Sequence, residues 1–216
     1  MEQNLIERTE SFLKNTFSES AWAKANVSDA AYRIQHSYRV ANLCKRIALS
    51  EGFCVTDAVI SGLLHDIAYA EGIGSEDAWR NHGRRSAAMA RPFLTDLGLD
   101  EWRIQAICYG IAIHVDDEAD FEFQCTPFCE TVGDADNIDR FDAFRIYETL
   151  EQQQYSKLPI TEQQAAAEST LQRLEKLRGV KPATETAAAL WLERLDFYHT
   201  FYEHLQTQLR QSSVII

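Results

Sequence analysis

The chain has 216 residues, of which 45% are hydrophobic and 25% are charged, and its formal net charge is −12. This length and composition fit one large globular domain with its own apolar core. The negative charge argues against a nucleic acid polymer or an anionic membrane surface as a partner, because both attract cationic proteins. A small phosphorylated substrate is compatible with this net charge, since it needs only a local cationic pocket.

Residues that form turns are rare, with nine Gly and four Pro, which favours an all-helical fold. Apolar periodicity predicts helices over about residues 5–17, 30–50, 56–69, 82–97, 101–114, 127–153, 161–178 and 184–210. We expect Ser28 or Asp29 to cap the second helix and Pro92 to interrupt the fourth. The acidic segment 116–123 is predicted to be a loop.

Compartment signals point to the cytoplasm. The first residues contain no apolar stretch typical of a secretory signal, and no apolar run approaches the ~20 residues of a membrane span. The five cysteines are odd in number and have no compact spacing, which does not suggest a disulfide framework. We therefore expect a cytoplasmic protein without a membrane partner.

Two histidines continue the apolar stripes of their predicted helices. His36 lies one turn before a stripe that begins at Val40, and His114 lies one turn after position 111, where a stripe of isoleucines ends. Both side chains are therefore predicted to point inward. For either one alone, a hydrogen-bonded core histidine is the alternative interpretation.

Acidic residues accompany these histidines. The pair His65–Asp66 ends the apolar run 59–64, and Asp136 shares a helical face with Val132 and Ala143. A buried carboxylate is costly unless it is paired or bound to a metal. Imidazole and carboxylate groups brought together by several helices suit a divalent transition metal.

Three segments resemble the HD-domain metal-dependent phosphohydrolases. They are Tyr-Arg-Ile-Gln-His-Ser-Tyr-Arg-Val-Ala at 32–41, Gly-Leu-Leu-His-Asp-Ile-Ala at 62–68 and Gly-Asp-Ala-Asp-Asn-Ile-Asp at 133–139. They occur in the order of the family, within about residues 30–145. The resemblance implies a single domain over residues 1–216. Its all-α helical bundle would carry the metal site, with C-terminal helices at about 160–210 packed on it.

The resemblance also implies a set of metal ligands, namely His36, His65, Asp66 and Asp136. Asp134 lies two residues from Asp136 and therefore points elsewhere on a helix, where it would cap or support the site. The implied cofactor is a divalent ion, either Mn, Fe, Co, Ni, Mg or Zn.

Two more histidines resemble the additional histidines of many family members. His82 lies in Asn-His-Gly-Arg-Arg-Ser, and His114 follows Ile113. They imply a second metal ion, with Asp66 as the bridging ligand. In the competing interpretation, both histidines donate hydrogen bonds to phosphate beside a single ion. Val115 stands where a second histidine often follows, which disfavours the cyclic-dinucleotide phosphodiesterase branch.

The implied activity is hydrolysis of a nucleotide or another small phosphate ester. A divalent metal polarises phosphoryl oxygens and lowers the pKa of water towards about 7. Asp66 would orient the attacking water, and His82 or His114 would protonate the leaving group. Arg84 and Arg85 would balance the phosphate charge, although a solvated helix face is an equal alternative for both.

Two other functions stay open at the level of sequence. Some proteins with this enlarged ligand set are di-iron oxygenases that cleave C–H or C–P bonds. A non-catalytic signalling scaffold is the second alternative, but a scaffold has no need for buried carboxylates. The identity of the substrate and the oligomeric state do not follow from the sequence.

Overall fold

A computed structural model describes residues 2–212, and these residues contain helices and no β-strand. The α-helices are α1 (Glu2–Glu19), α2 (Ala21–Ala25), α3 (Val27–Glu51), α4 (Val55–Leu64), α5 (Glu76–Arg80), α6 (His82–Asp96), α7 (Glu101–Ile113), α8 (Pro127–Asp139), α9 (Ala143–Gln152), α10 (Ile160–Leu177) and α11 (Glu185–Gln211). Two 3₁₀-helices span Ile67–Glu71 and Tyr155–Lys157. The prediction of an all-helical fold is confirmed.

The structure divides into two compact units between Asn137 and Ile138. Helix α4 is central to the first unit, because every residue from Thr56 to Leu64 is buried. It packs against α1, α3 and α7. A continuous apolar run therefore marks a helix that is covered on all sides, and the residues at its C-terminal end lie deep inside the unit.

Helices α6 and α7 form the other packed pair of the first unit. Ala87, Ala90 and Leu94 of α6 are buried, and so are Ile107 and Ile111 of α7. The isoleucine stripe of α7 thus faces the core, as the sequence predicts. The side chain of His114, which follows the helix, is buried on the same side.

Several helix boundaries differ from the prediction. Helix α3 begins after Asn26, so Ser28 and Asp29 lie inside its first turn and do not cap it. Pro92 lies within α6 without interrupting it. Proline removes one N–H from the hydrogen-bond ladder and crowds the carbonyl four residues earlier, but the buried Ala90 and Leu94 on either side of it keep the helix on the core.

Two predicted helices are shorter than expected. The third ends as α4 at Leu64 and continues as a 3₁₀-helix, and the sixth is divided into α8 and α9. Asp142 caps α9, since its Oδ1 accepts a hydrogen bond of 2.6 Å from the N–H of Ala143. Ala143 therefore does not belong to the helix that carries Asp136.

Short helices α2 and α5 are absent from the prediction. Their N-caps are Ser20 and Ser75, whose hydroxyl groups accept hydrogen bonds from Ala23 and Ala78. The acidic segment 116–123 contains no helix, as predicted.

The second unit contains α9, α10 and α11. Helix α10 packs against α11, and the indole N–H of Trp191 donates a hydrogen bond of 3.0 Å to the carbonyl of Leu177. The packing of C-terminal helices on the predicted metal-site core stays a prediction. Among residues 2–212, every helix is too short or too polar to span a bilayer.

Candidate metal centre

Six buried side chains of the first unit converge from three helices and from the segments that directly follow α4 and α7. They are His36 in α3, His65 and Asp66 after α4, His82 at the start of α6, His114 after α7 and Asp136 in α8. All six are sequence-predicted site residues, and each side chain is at most 8% exposed. The structure thus brings together residues that are up to 100 positions apart in the chain.

The first group of donor atoms comes from His36, His65 and Asp136. The Nε2 atoms of His36 and His65 are 3.3 Å apart. Oδ1 of Asp136 lies 3.0 Å from Nε2 of His36 and 4.0 Å from Nε2 of His65. Three donor atoms therefore surround one small volume.

The second group comes from His82, His114 and Asp66. The Nε2 atoms of His82 and His114 are 3.1 Å apart. Oδ1 of Asp66 lies 3.1 Å from Nε2 of His82 and 3.7 Å from Nε2 of His114. These three residues form the second convergent set, which we call the His82–His114 triad.

Asp66 belongs to both groups. While its Oδ1 faces the His82–His114 triad, its Oδ2 lies 3.7 Å from the Nε2 atoms of both His36 and His65. The two oxygens of one carboxylate therefore point to two sets of imidazoles. This arrangement fits a carboxylate that bridges two ions.

Three of the imidazoles are oriented by helix ends. Nδ1 of His65 donates to the carbonyl of Gly62 at 2.8 Å, and Nδ1 of His114 donates to the carbonyl of Ile111 at 2.7 Å. Nδ1 of His82 donates to the carbonyl of Trp79, in the last turn of α5, at 2.5 Å. Carbonyls at helix ends lack partners within the helix. Each bond fixes the hydrogen on Nδ1 and leaves the lone pair of Nε2 directed into the site.

The electrostatics of the site keep the carboxylate charged and one central imidazole neutral. Burial lowers the pKa of His65 to about 4, so this imidazole is neutral at pH 7. Burial raises the pKa of Asp66, but the surrounding imidazoles outweigh burial and hold this pKa well below its usual range. Burial lowers the pKa of His114, yet contact with Asp66 raises it more, to a value above the ordinary one.

The donor set fits a divalent metal. Neutral imidazole nitrogens and ionised carboxylates are the forms that bind metal ions. Pairs of Nε2 lone pairs at 3.1–3.3 Å repel each other unless a proton or a cation lies between them. The cluster His36, His65, Asp66, His82, His114 and Asp136 is therefore consistent with a site for one or two ions.

Arg33 is a neighbour of the site that the sequence analysis did not assign. Its Nη1 donates a hydrogen bond of 3.0 Å to Oδ2 of Asp66. Its guanidinium lies 3.4 Å above the ring of Tyr69, and its side chain is 27% exposed. The available signal was helical spacing, because Arg33 precedes His36 by three residues and therefore lies on the same face.

The two arginines that the sequence predicts to contact substrate are both held by carboxylates. Arg84 donates hydrogen bonds to Asp116, at 2.9 and 3.1 Å. Arg85 forms a bidentate pair with Glu71, and both of these side chains are about half exposed. The side chain of Arg84 is only 12% exposed, so Arg84 is the more buried of the two arginines. It is also the closer of the two to His82 in the sequence.

Asp134 takes no part in the convergent groups. It is half-buried, and among the described residues no set of metal-capable donor atoms includes it. Oδ1 of Asp136, two residues later, lies beside His36 instead.

Comparison with known proteins identifies the fold. The family model of the HD domain matches residues 33–143, a range that contains all six convergent side chains. The chain belongs to the HD domain family. No curated protein sequence matches it.

Two solved structures resemble this HD domain protein over nearly its whole length. A predicted HD superfamily hydrolase from an uncultured Thermotogales bacterium has a TM-score of 0.65 and 19% identity, and the match covers 95% of this chain and 91% of that one. An HD-superfamily hydrolase from Bacillus thuringiensis has a TM-score of 0.68 and 19% identity, with 97% and 99% covered. At this identity, the likeness describes the fold.

Proposed function

We propose that the protein is a metal-dependent phosphohydrolase that acts on a nucleotide or another small phosphate ester. The observation that carries the proposal is the shared carboxylate of Asp66, whose two oxygens face two sets of imidazoles. Both structural neighbours are described as hydrolases of the HD superfamily, which supports the same reaction class.

His36, His65, Asp66 and Asp136 would hold one divalent ion, and His82 and His114 would hold a second ion together with Asp66. The bound metal supplies Lewis acidity, which stabilises negative charge on phosphoryl oxygens and activates water. Asp66 is ionised and buried, so it also orients a water molecule as a hydrogen-bond acceptor. In the single-ion form, His82 or His114 would instead donate a proton to the leaving oxygen.

Arg33 is the cation best placed to bind the anionic group of the substrate. It contacts Asp66 directly, and the ring of Tyr69 supports its guanidinium. The planar guanidinium presents several N–H donors, which suits phosphate oxygens. A contact of Arg84 or Arg85 with substrate would require the arginine to release the carboxylate that it binds, which makes both less suited to this role than Arg33.

The test uses protein purified without chelator or added metal. After metal loading, it is incubated under argon with nucleoside mono-, di- and triphosphates and generic phosphate esters. Release of phosphate or pyrophosphate is expected from the wild type and from His204→Ala, whose side chain is exposed, and it should vanish in Asp66→Ala.

Absence of release from every ester would contradict the proposal. Co-purified iron with substrate-dependent oxygen uptake would then support the di-iron oxygenase, because that chemistry needs a redox-active metal and dioxygen. Absence of both release and oxygen uptake would support a non-catalytic role.

A further inference from the structure

The start of α6 and the end of α7 approach each other unusually closely. A Cβ atom on Gly83 would lie 2.5 Å from the carbonyl oxygen of Ala112 and 3.0 Å from that of Ile111. Only glycine fits between these backbones without displacement. This approach places His82, beside Gly83, against His114, which follows α7.

An ion pair joins the start of α6 to the turn that follows α7. Nη1 and Nη2 of Arg84 donate to Oδ1 and Oδ2 of Asp116 at 2.9 and 3.1 Å. Nε and Nη2 of Arg84 also donate to Oδ1 of Asn81 at 3.0 and 2.6 Å. The Arg84 side chain is only 12% exposed. Bidentate pairs of this kind fix both position and angle.

Each partner lies two residues from a histidine of the His82–His114 triad. Arg84 follows His82 at the start of α6, and Asp116 follows His114 in the turn after α7. The pair therefore spans the same gap, between the start of α6 and the residues that follow α7, as the two Nε2 atoms. The adjacent Arg85 binds Glu71 and spans no such gap.

We infer that the Arg84–Asp116 pair positions His82 and His114, and that it thereby sets the affinity of the His82–His114 triad for a divalent ion. The inference rests on the proposed function, which assigns this triad to a second ion. In this assignment Arg84 is a positioning residue and not a substrate contact, because its Nε, Nη1 and Nη2 groups are engaged by Asn81 and Asp116.

The experiment is titration of the metal-free protein with Mn²⁺, with free ion measured by electron paramagnetic resonance. The wild type is expected to bind two equivalents. Arg84→Gln should bind one equivalent as the wild type does and the other about tenfold or more weakly, as is typical when groups that orient metal ligands are lost. Arg85→Gln is the matched control and should bind both equivalents normally.

Asp116→Asn is a second, nearly isosteric variant whose folding is checked by circular dichroism. It should weaken the same equivalent as Arg84→Gln, and the double variant should be no weaker than either single one, because the two residues act as one unit. Additive losses, or two unchanged equivalents in Arg84→Gln and Asp116→Asn, would overturn the inference and leave the proposed function intact.

Failure of the two-ion assignment within the proposed function gives a different result, whereas failure of the activity itself is shown by the absence of phosphate release from every ester. If the two-ion assignment fails, the wild type binds one equivalent or none, and His82→Ala binds as much Mn²⁺ as the wild type. That outcome removes the second ion and, with it, the role that we assign to the Arg84–Asp116 pair.

Discussion

Gly62 of α4 lies directly against the backbone of Ala41 in α3. A Cβ atom at position 62 would lie 2.6 Å from the Cα and 2.8 Å from the N of Ala41. These distances are far shorter than van der Waals contact, so α4, which His65 follows, and α3, which carries His36, can pack this closely only with glycine at position 62.

Gly62→Ala is therefore expected to destabilise the protein by about 1–3 kcal/mol, the usual cost of overpacking a core. Urea unfolding of the metal-free protein measures this free energy. Gly74→Ala is the matched control, because a Cβ there meets no atom within 4 Å. Equal stability of the two variants would contradict the close packing of α3 and α4.

Removal of a proposed metal ligand should reduce bound metal. We expect His36→Ala, His65→Ala, Asp66→Ala and Asp136→Ala each to weaken the binding of the ion that these four residues would hold by about tenfold or more, since loss of even a supporting group costs that much. Elemental analysis of the purified variants provides the measurement. His199→Ala and His204→Ala should retain the metal content of the wild type. Equal metal in the wild type and Asp66→Ala would exclude the assignment.

Metal binding should stabilise a fold that already exists. At a metal concentration of 100 Kd, linkage predicts about 2.7 kcal/mol of added stability, or a rise in Tm of several degrees for a protein of this size. Calorimetry with and without chelator measures the shift. The chelated protein should keep its helical circular dichroism, because its apolar core is large. Complete unfolding on chelation would instead indicate a structural metal.

Arg33→Gln should weaken substrate binding. Loss of a hydrogen bond to a charged group costs about 1.5–3 kcal/mol, so kcat/KM should fall by roughly 10- to 150-fold, mainly through KM. Steady-state kinetics on a phosphate ester, with metal content measured in parallel, separates this effect from loss of the ion. Arg80→Gln is the control, since Arg80 pairs only with the exposed Glu76 among the described contacts. An unchanged KM in Arg33→Gln would remove Arg33 from the substrate site.

Thiol reactivity should follow burial. Cys54 and Cys125 are exposed, whereas Cys44, Cys108 and Cys129 are buried. A disulfide reagent should thus modify two thiols in the native protein and all five after unfolding. Burial raises the pKa of Cys54 and of Cys125, and it raises the pKa of Cys108 to about 11. Because the thiolate is the reactive form, the native rate should still increase above pH 8.5. More than two fast thiols would contradict this description.

The inward direction of three histidine side chains could be predicted from the pattern of apolar residues alone. The apolar run before His65 and the stripes next to His36 and His114 gave the correct inward directions, because burial decides them. The division between α8 and α9 was missed, because only residues 140–142 separate the two helices and the capping bond of Asp142 that begins α9 is a local contact. Arg33 was missed for a different reason. Helical spacing places Arg33 on the face of His36, but this spacing alone does not distinguish a cation of the site from a solvated one.

The hydrogen bonds from His65 and His114 to the carbonyls of Gly62 and Ile111 have a consequence for how this chain can change in length. Each of these imidazoles closes the helix that precedes it. Deleting one residue inside α4 or α7 would rotate the helix end by about 100° and shift it by about 1.5 Å, which would carry the imidazole out of the cluster. Insertions should therefore be tolerated in the loop after Asp116 but not in the two helices that end before these histidines.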